Sequence, residues 1–241
     1  MPTHRVRLKD QRELAYSTLG FYFEKPPGFT YQGGQFANLT LVDPPETDAE
    51  GNSRSFTLAS APYEDDLMVA TRMRSTAFKQ VLGRLTPGAE VKLAGPYGDF
   101  TLSPTSSRPA VFLAGGIGVT PFRSIILEAL HHGVSRPLFL FYSNRRPEDA
   151  AFLDELSALA KAHANFRFVP IMTQPEKSAR TWSGPAGRLS GAKVREQIPN
   201  SENPEFYLAG PPGFVDGLAR ELKAAGVPAQ DLRTDEFDGY I

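Results

Sequence analysis

Arg54-Ser55-Phe56-Thr57 sets a guanidinium, an aromatic ring and two hydroxyls side by side. A cation answers a phosphate, an aromatic plane answers a flat heterocycle, and a hydroxyl answers a ring edge. Together they suit a flavin nucleotide. Further along stands Gly115-Gly116-Ile117-Gly118-Val119-Thr120-Pro121. Glycine lets backbone approach a ligand and accept unusual dihedrals. Thr120 is placed to cap the next helix, and Pro121 suits its first position. Such a helix start offers free N–H groups and a positive dipole end to a pyrophosphate. The spacing is not G-x-G-x-x-G, so the mechanism is read here and not that fingerprint; a glycine-rich turn without a ligand is the competing reading. Two nucleotide-binding elements of different style point to two redox cofactors held against each other.

Two further turns carry polar or glycine-rich chemistry. Tyr142-Ser143-Asn144-Arg145-Arg146 ends an apolar run. In a doubly wound sheet such a tip reaches the adenosine ribose, where a carboxylate favours NAD and arginine accepts a 2′-phosphate. The first acid is Glu148, so Ser143, Arg145 and Arg146 lean towards NADPH; two solvated loop arginines are the alternative. Tyr207-Leu208-Ala209-Gly210-Pro211-Pro212-Gly213 repeats the strand-turn-helix logic and suits the nicotinamide half.

The elements that must position these residues change rhythm along the chain. Residues 1–103 read as short strands punctuated by Gly and Pro, which predicts an antiparallel barrel. One helix interrupts it near Thr76 to Leu85, with Phe78, Val81, Leu82 and Leu85 at helical spacing. Alternation along a strand puts Arg54 and Phe56 on one face and Ser55 and Thr57 on the other. Either the strand bends or the flavin wraps its edge. Ser103-Pro104-Thr105-Ser106-Ser107-Arg108-Pro109 is a polar boundary. From 108 to 241 strands alternate with helices, which predicts a doubly wound parallel sheet. Expected helices run Pro121 to Leu130, Glu148 to His163 and Gly213 to Ala225, and Gln174 to Gly187 reads as a mobile loop.

Composition narrows the classes. The chain has 241 residues, 41% hydrophobic and 22% charged, with a net charge of -1. That gives no electrostatic case for nucleic acid. There is no cysteine, so disulfides, a cysteine nucleophile and a cysteine-ligated cluster are excluded. No apolar stretch reaches membrane-spanning length, and the first residues lack a signal-peptide core, which fits a cytoplasmic location. The four histidines lack metal-site spacing, so no metal is expected; His131-His132 before Gly133 suit a helix C-terminus.

Taken in order, the motifs resemble the ferredoxin–NADP reductase superfamily of flavoprotein reductases over essentially the whole chain. The resemblance rests on Arg54-Ser55-Phe56-Thr57 (the family's Arg-x-Tyr/Phe-Ser/Thr), Gly95-Pro96-Tyr97-Gly98-Asp99-Phe100, Gly115 to Pro121, Tyr142 to Arg145, Gly210-Pro211-Pro212 and Glu236-Phe237-Asp238-Gly239-Tyr240. It implies a six-stranded flavin-binding barrel followed by a nicotinamide-nucleotide domain. FAD is implied over FMN, with NAD(P)H as diffusible co-substrate. By resemblance Arg54 holds the flavin pyrophosphate, Phe56 flanks the ring and Thr57 bonds flavin N5. Thr71, Arg72 and Met73 match the strand along the isoalloxazine, and Ser75, Thr76 and Ala77 start the helix at the phosphates. Gly115, Gly116, Gly118, Thr120 and Pro121 fall at the NAD(P) pyrophosphate. Phe237 or Tyr240 falls where relatives set an aromatic against the flavin, so Thr57 and Tyr240 are the expected residues at the chemistry. Many members carry cysteine before the later Gly-Pro motif; here it is Ala209.

The implied function is hydride transfer from NAD(P)H to flavin, then electron delivery to a separate ferredoxin-like protein. Two alternatives stand beside it: reduction of a small acceptor (free flavin, a quinone or ferric iron), and a flavin-bearing subunit of a larger complex.

Overall fold

The computed structural model describes residues 2–198 and 203–237. In the N-terminal part, β1 (Thr3–Ala15), β2 (Thr18–Glu24), β3 (Phe36–Leu41), β4 (Ser53–Thr57), β5 (Asp66–Arg72) and β6 (Glu90–Tyr97) pair antiparallel in the order β4-β3-β6-β1-β2-β5. The side-chain period of two sends Val6, Leu8, Phe21, Phe23, Leu39, Leu41, Val91 and Leu93 into one core. Just past β4, the Ala59 N–H donates to the Met68 carbonyl on β5 at 2.7 Å, which closes the sheet into a barrel. Strand β1 runs unbroken for 13 residues, and its pairing with β2 shifts register twice. Helix α1 (Ala77–Arg84) plugs the barrel with Phe78, Val81 and Leu82. Thr76 is its N-cap, and its side-chain oxygen accepts from the Lys79 N–H at 3.4 Å.

After β6 the chain builds β7 (Ala110–Gly115), α2 (Val119–His131), β8 (Leu138–Asn144), α3 (Leu153–Ala162), β9 (Phe166–Met172), α4 (Gly191–Arg195), β10 (Glu205–Gly210), α5 (Pro212–Ala224) and β11 (Leu232–Glu236). Every strand pair is parallel, in the order β11-β10-β7-β8-β9. All of β7 is buried, as a strand covered on both faces must be. The direction of winding reverses between β7 and β10, and in such sheets ligands bind outside the carboxyl ends at that reversal.

Three expectations change. Helix α2 starts at Val119 after a tight turn at Gly116–Gly118, so Thr120 lies inside its first turn and caps nothing. The Thr120 hydroxyl donates instead to the Ile117 carbonyl at 3.0 Å. The helix expected from Glu148 begins only at Leu153, because Phe152 takes a left-handed φ of 61°. The stretch from Gln174 is anchored at its start: the Gln174 N–H donates to Arg145 O at 2.9 Å, and Ser178 Oγ donates to Glu148 at 2.7 Å.

Candidate functional site

Two clefts lie near the reversal between β7 and β10. The smaller holds about 480 Å³ and is lined by Phe36, Glu50, Arg54, Ser55, Phe56, Thr57, Ala70, Thr120, Asp235, Glu236 and Phe237. Strand β4 is an end strand of the hydrogen-bonded order, so residues from both of its faces reach this space. That resolves the alternation problem: the cleft wraps the strand's edge. Phe56 is nonetheless mostly core, with its ring centroid 5.9 Å from that of Phe78. Asp235 shares the cleft with Thr57, and burial pushes its carboxyl up to about 6. The C-terminal aromatic present here is Phe237, whose N–H donates to the Gly210 carbonyl at 2.9 Å. Tyr240 lies outside the described residues.

Arg54 is held ready by its own loop. It pairs with Asp48 at 2.8 Å and Glu50 at 3.0 Å, and its cation sits 5.1 Å from the Phe78 ring. Beside it, at the start of α1, gather Arg72, Arg74 and Lys79. Lys79 Nζ donates to the Arg72 carbonyl at 3.0 Å. Burial, with the charges of Arg74, Arg54 and Arg72, pulls Lys79 down to about 8. Arg54, Arg74 and Lys79 around one helix N-terminus fit a diphosphate, with Arg72 beside them donating to the Asp149 carbonyl at 3.4 Å. The sequence reading missed Lys79; its signal was a lysine in the first turn of a helix preceded by Arg72 and Arg74.

The larger cleft, about 850 Å³, runs from Arg72, Met73 and Ser75 past Gly115, Gly116 and Pro211 to Ser143, Asn144, Arg145, Arg146, Gln174 and Lys177. Thr71 is fully buried and lines neither cleft. Gly116 has a φ of +54° with open space beside it, so its backbone forms bare floor. Gly118 serves packing: a Cβ there would lie 2.3 Å from the Ala209 carbonyl oxygen. At Gly210 (φ +148°) a Cβ would lie 2.9 Å from the Gly115 carbonyl oxygen. Pro121 is buried in α2, and Pro212 opens α5. Asn144 is 6% exposed and lines this cleft, with its side chain beside the buried Tyr142 hydroxyl.

The two arginines at the tip of β8 differ. Arg146 is spent on Asp149, with bonds of 2.9 and 2.8 Å, and its cation lies 5.2 Å from the Tyr16 ring. Arg145 is exposed and makes no side-chain hydrogen bond or ion pair among the described residues. Lys177, absent from the sequence reading, lines the same end of the cleft and is likewise exposed. Its signal was a basic residue in the loop after β9, the strand beside β8. Two carboxylates stand at that tip: Asp149, which lines the cleft and is held by Arg146, and Glu148, which accepts bonds from Ser178 and the Ala179 N–H. The bond from Ser178 lowers the pKa of Glu148.

The family model for the oxidoreductase NAD-binding domain matches residues 112–220. Ferredoxin–NADP reductase B of Sorangium cellulosum is 32% identical over 245 residues, covering 97% of each protein. The reductase component of propane 2-monooxygenase from Mycolicibacterium smegmatis is 31% identical over 223 residues, and this chain spans 62% of its length. A ferredoxin NADP+ reductase from Neisseria gonorrhoeae, solved with FAD and NADP, has the same fold: TM-score 0.80 at 20% identity, covering 97% of this chain and 98% of that one. The GcoB cytochrome P450 reductase of Amycolatopsis gives 0.82 at 23%, covering 98% and 70%. With a relative this similar along the full length of both proteins, and clefts that suit a flavin and a nicotinamide nucleotide side by side, the chain belongs to the ferredoxin–NADP reductase family, flavoprotein oxidoreductases that take electrons from NAD(P)H.

Proposed function

We propose that this protein oxidises NADPH and hands the electrons, through FAD, to a separate ferredoxin-like protein. Residues 1–103 form the flavin-binding domain and residues 108–241 the nucleotide-binding domain. The observation that carries the reading is the pair of clefts near the reversal between β7 and β10. Thr57 from the barrel and Thr120 from α2 line one wall, while Gly115, Gly116 and Pro211 open the other cleft alongside.

A flavin held here would supply the hydride-accepting and single-electron chemistry. The chain supplies alignment and charge. Arg54, Arg74 and Lys79 hold the diphosphate at α1, with Arg72 beside them. Thr57 offers its hydroxyl to the ring edge, and Phe237 covers the ring. Asp235, whose carboxyl burial raises to about 6, takes up a proton below that pH in the cleft that Thr57 also lines. The backbone from Gly115 to Gly118 and the N-terminus of α2 carry the nucleotide diphosphate. Gly210, Pro211 and Pro212 shape the nicotinamide end, and proximity does most of the rest. FAD is favoured over FMN because the cation cluster extends past the ring cleft. Reductase components among the relatives support a separate redox partner.

NADPH is favoured because Arg145 and Lys177 are uncommitted while Glu148 is satisfied elsewhere. Replacing both cations by alanine removes two charge-assisted contacts and lowers the NADPH/NADH preference about 100-fold. Arg146→Ala changes that preference little, because Arg146 is bound to Asp149. The ratio of kcat/KM for the two nucleotides measures this. An unchanged ratio in the double variant rejects the 2′-phosphate site.

A further inference from the structure

We infer that Arg123 is a positioning residue for hydride transfer: it ties the strand bearing Thr57 to the helix that opens the nucleotide turn. The inference rests on the proposed function. Arg123 lies on α2, four residues after Val119, and its side chain is 8% exposed. One arm crosses to the barrel. Nη1 donates to Glu64 at 2.8 Å and to the Ala59 carbonyl at 2.8 Å, and Nη2 donates to Glu64 at 3.1 Å. The other arm stays beside α2. Nε and Nη2 donate to Glu155 on α3 at 2.9 and 2.7 Å.

The residues it grips matter. Ala59 and Ser60 directly continue the strand beyond Thr57 and Leu58. Ser124, next to Arg123, donates its hydroxyl to the Ser60 carbonyl at 2.6 Å. The Ala59 N–H in turn closes the barrel on Met68. Helix α2 begins at the glycine turn and holds the chain just after Thr57. The spacing between the wall of the flavin cleft and the floor of the nucleotide cleft therefore passes through this joint. A second joint, the Gly33 N–H on Glu128 at 2.7 Å, lies further along the same helix. The left-handed Phe152 serves the arrangement: the turn it makes starts α3 with Glu155 towards Arg123, whose cation lies 5.2 Å from the Phe152 ring.

The two carboxylates separate the roles. Glu64 and Glu155 are 32% and 35% exposed and grip the same guanidinium, but only Glu64 belongs to the barrel, where it also accepts from the Ala61 N–H at 2.6 Å. A merely structural role for Arg123 leaves hydride transfer alike in the folded Glu64→Gln and Glu155→Gln variants. The positioning role does not. We expect Glu64→Gln to slow reduction of the bound flavin by NADPH about tenfold, at unchanged flavin content and nucleotide affinity. It also weakens the long-wavelength absorbance of nicotinamide stacked on flavin. In flavin-free protein it speeds amide exchange at Leu58, Ala59 and Ser60. Glu155→Gln leaves all of these near wild type. Arg123→Lys, which keeps the charge but not the fork, follows Glu64→Gln. Equal slowing in the two glutamate variants overturns the inference, as does wild-type behaviour of Glu64→Gln. If the wild-type protein takes up no flavin, the proposed function fails, while amide exchange still scores the joint.

Discussion

Arg54→Ala leaves a folded protein that loses its flavin. The side chain is spaced for a diphosphate and steadied by Asp48 and by the Glu50, Gly51 and Ser53 carbonyls. Glu50, whose side chain is 75% exposed, is the partner a diphosphate displaces. Deleting one charge-assisted contact of this kind costs about 2–3 kcal/mol, so flavin affinity falls roughly 100-fold. Nucleotide affinity stays near wild type, because Arg54 lines only the smaller cleft. Flavin content after gel filtration and titration of the apoprotein measure the effect. The same site has a pH signature. Lys79 is protonated below its lowered value of about 8 and a bound diphosphate stabilises that charge, so wild-type retention weakens as pH rises through 8. Full flavin content in Arg54→Ala contradicts the assignment.

Gly118→Ala is the second large effect, and it acts on the other cofactor. Gly118 has an ordinary helical φ of -60°, so its backbone conformation makes no demand for glycine. The demand is steric. The nearest atoms to a Cβ are Ala209 O at 2.3 Å, Ala209 C at 2.5 Å and Gly210 Cα at 2.6 Å, all backbone. The β7 and β10 turns must part to admit the methyl. A displacement of that order at the reacting geometry costs about 100-fold in rate. Flavin content stays intact, since the barrel is untouched. Gly116→Ala is the contrast: it meets no atom within 4 Å and carries only the left-handed backbone cost of about 1–2 kcal/mol. Stopped-flow reduction of bound flavin separates the two. Gly118→Ala reducing at the wild-type rate contradicts the close-packed crossing.

The alternation of Val6, Leu8, Phe21 and Phe23, and the apolar run of β7, were legible because burial imposes periods of two and one on strands. The motif order carried the rest of the fold. Local spacing could not show which charges were already spent. Arg145 and Arg146 are neighbours, yet Arg146 is consumed by Asp149 three residues on, a pairing visible only once the turn at Pro147 is formed. Nor does spacing join residues far apart in the chain. Lys79 reaches the Arg72 carbonyl, Lys177 comes beside Arg145 through parallel pairing of β8 and β9, and Arg123 meets Glu64 across the barrel seam. Thr120 lies two residues past the true cap: the helix starts directly after the Gly116–Gly118 turn, so the capping position belongs to Gly118. Phe152 delays the start of the expected helix because it adopts a conformation rare for bulky residues.

The central claim is that flavin and nicotinamide nucleotide meet near the reversal between β7 and β10, where the two clefts lie. The measurement that tests it most directly is the visible spectrum of the FAD-reconstituted protein, mixed anaerobically with NADPH and, separately, NADH. The account predicts a flavin spectrum that bleaches with either donor and faster with NADPH at equal concentration. A protein that takes up neither FAD nor FMN, or a bound flavin that neither nucleotide bleaches, contradicts it.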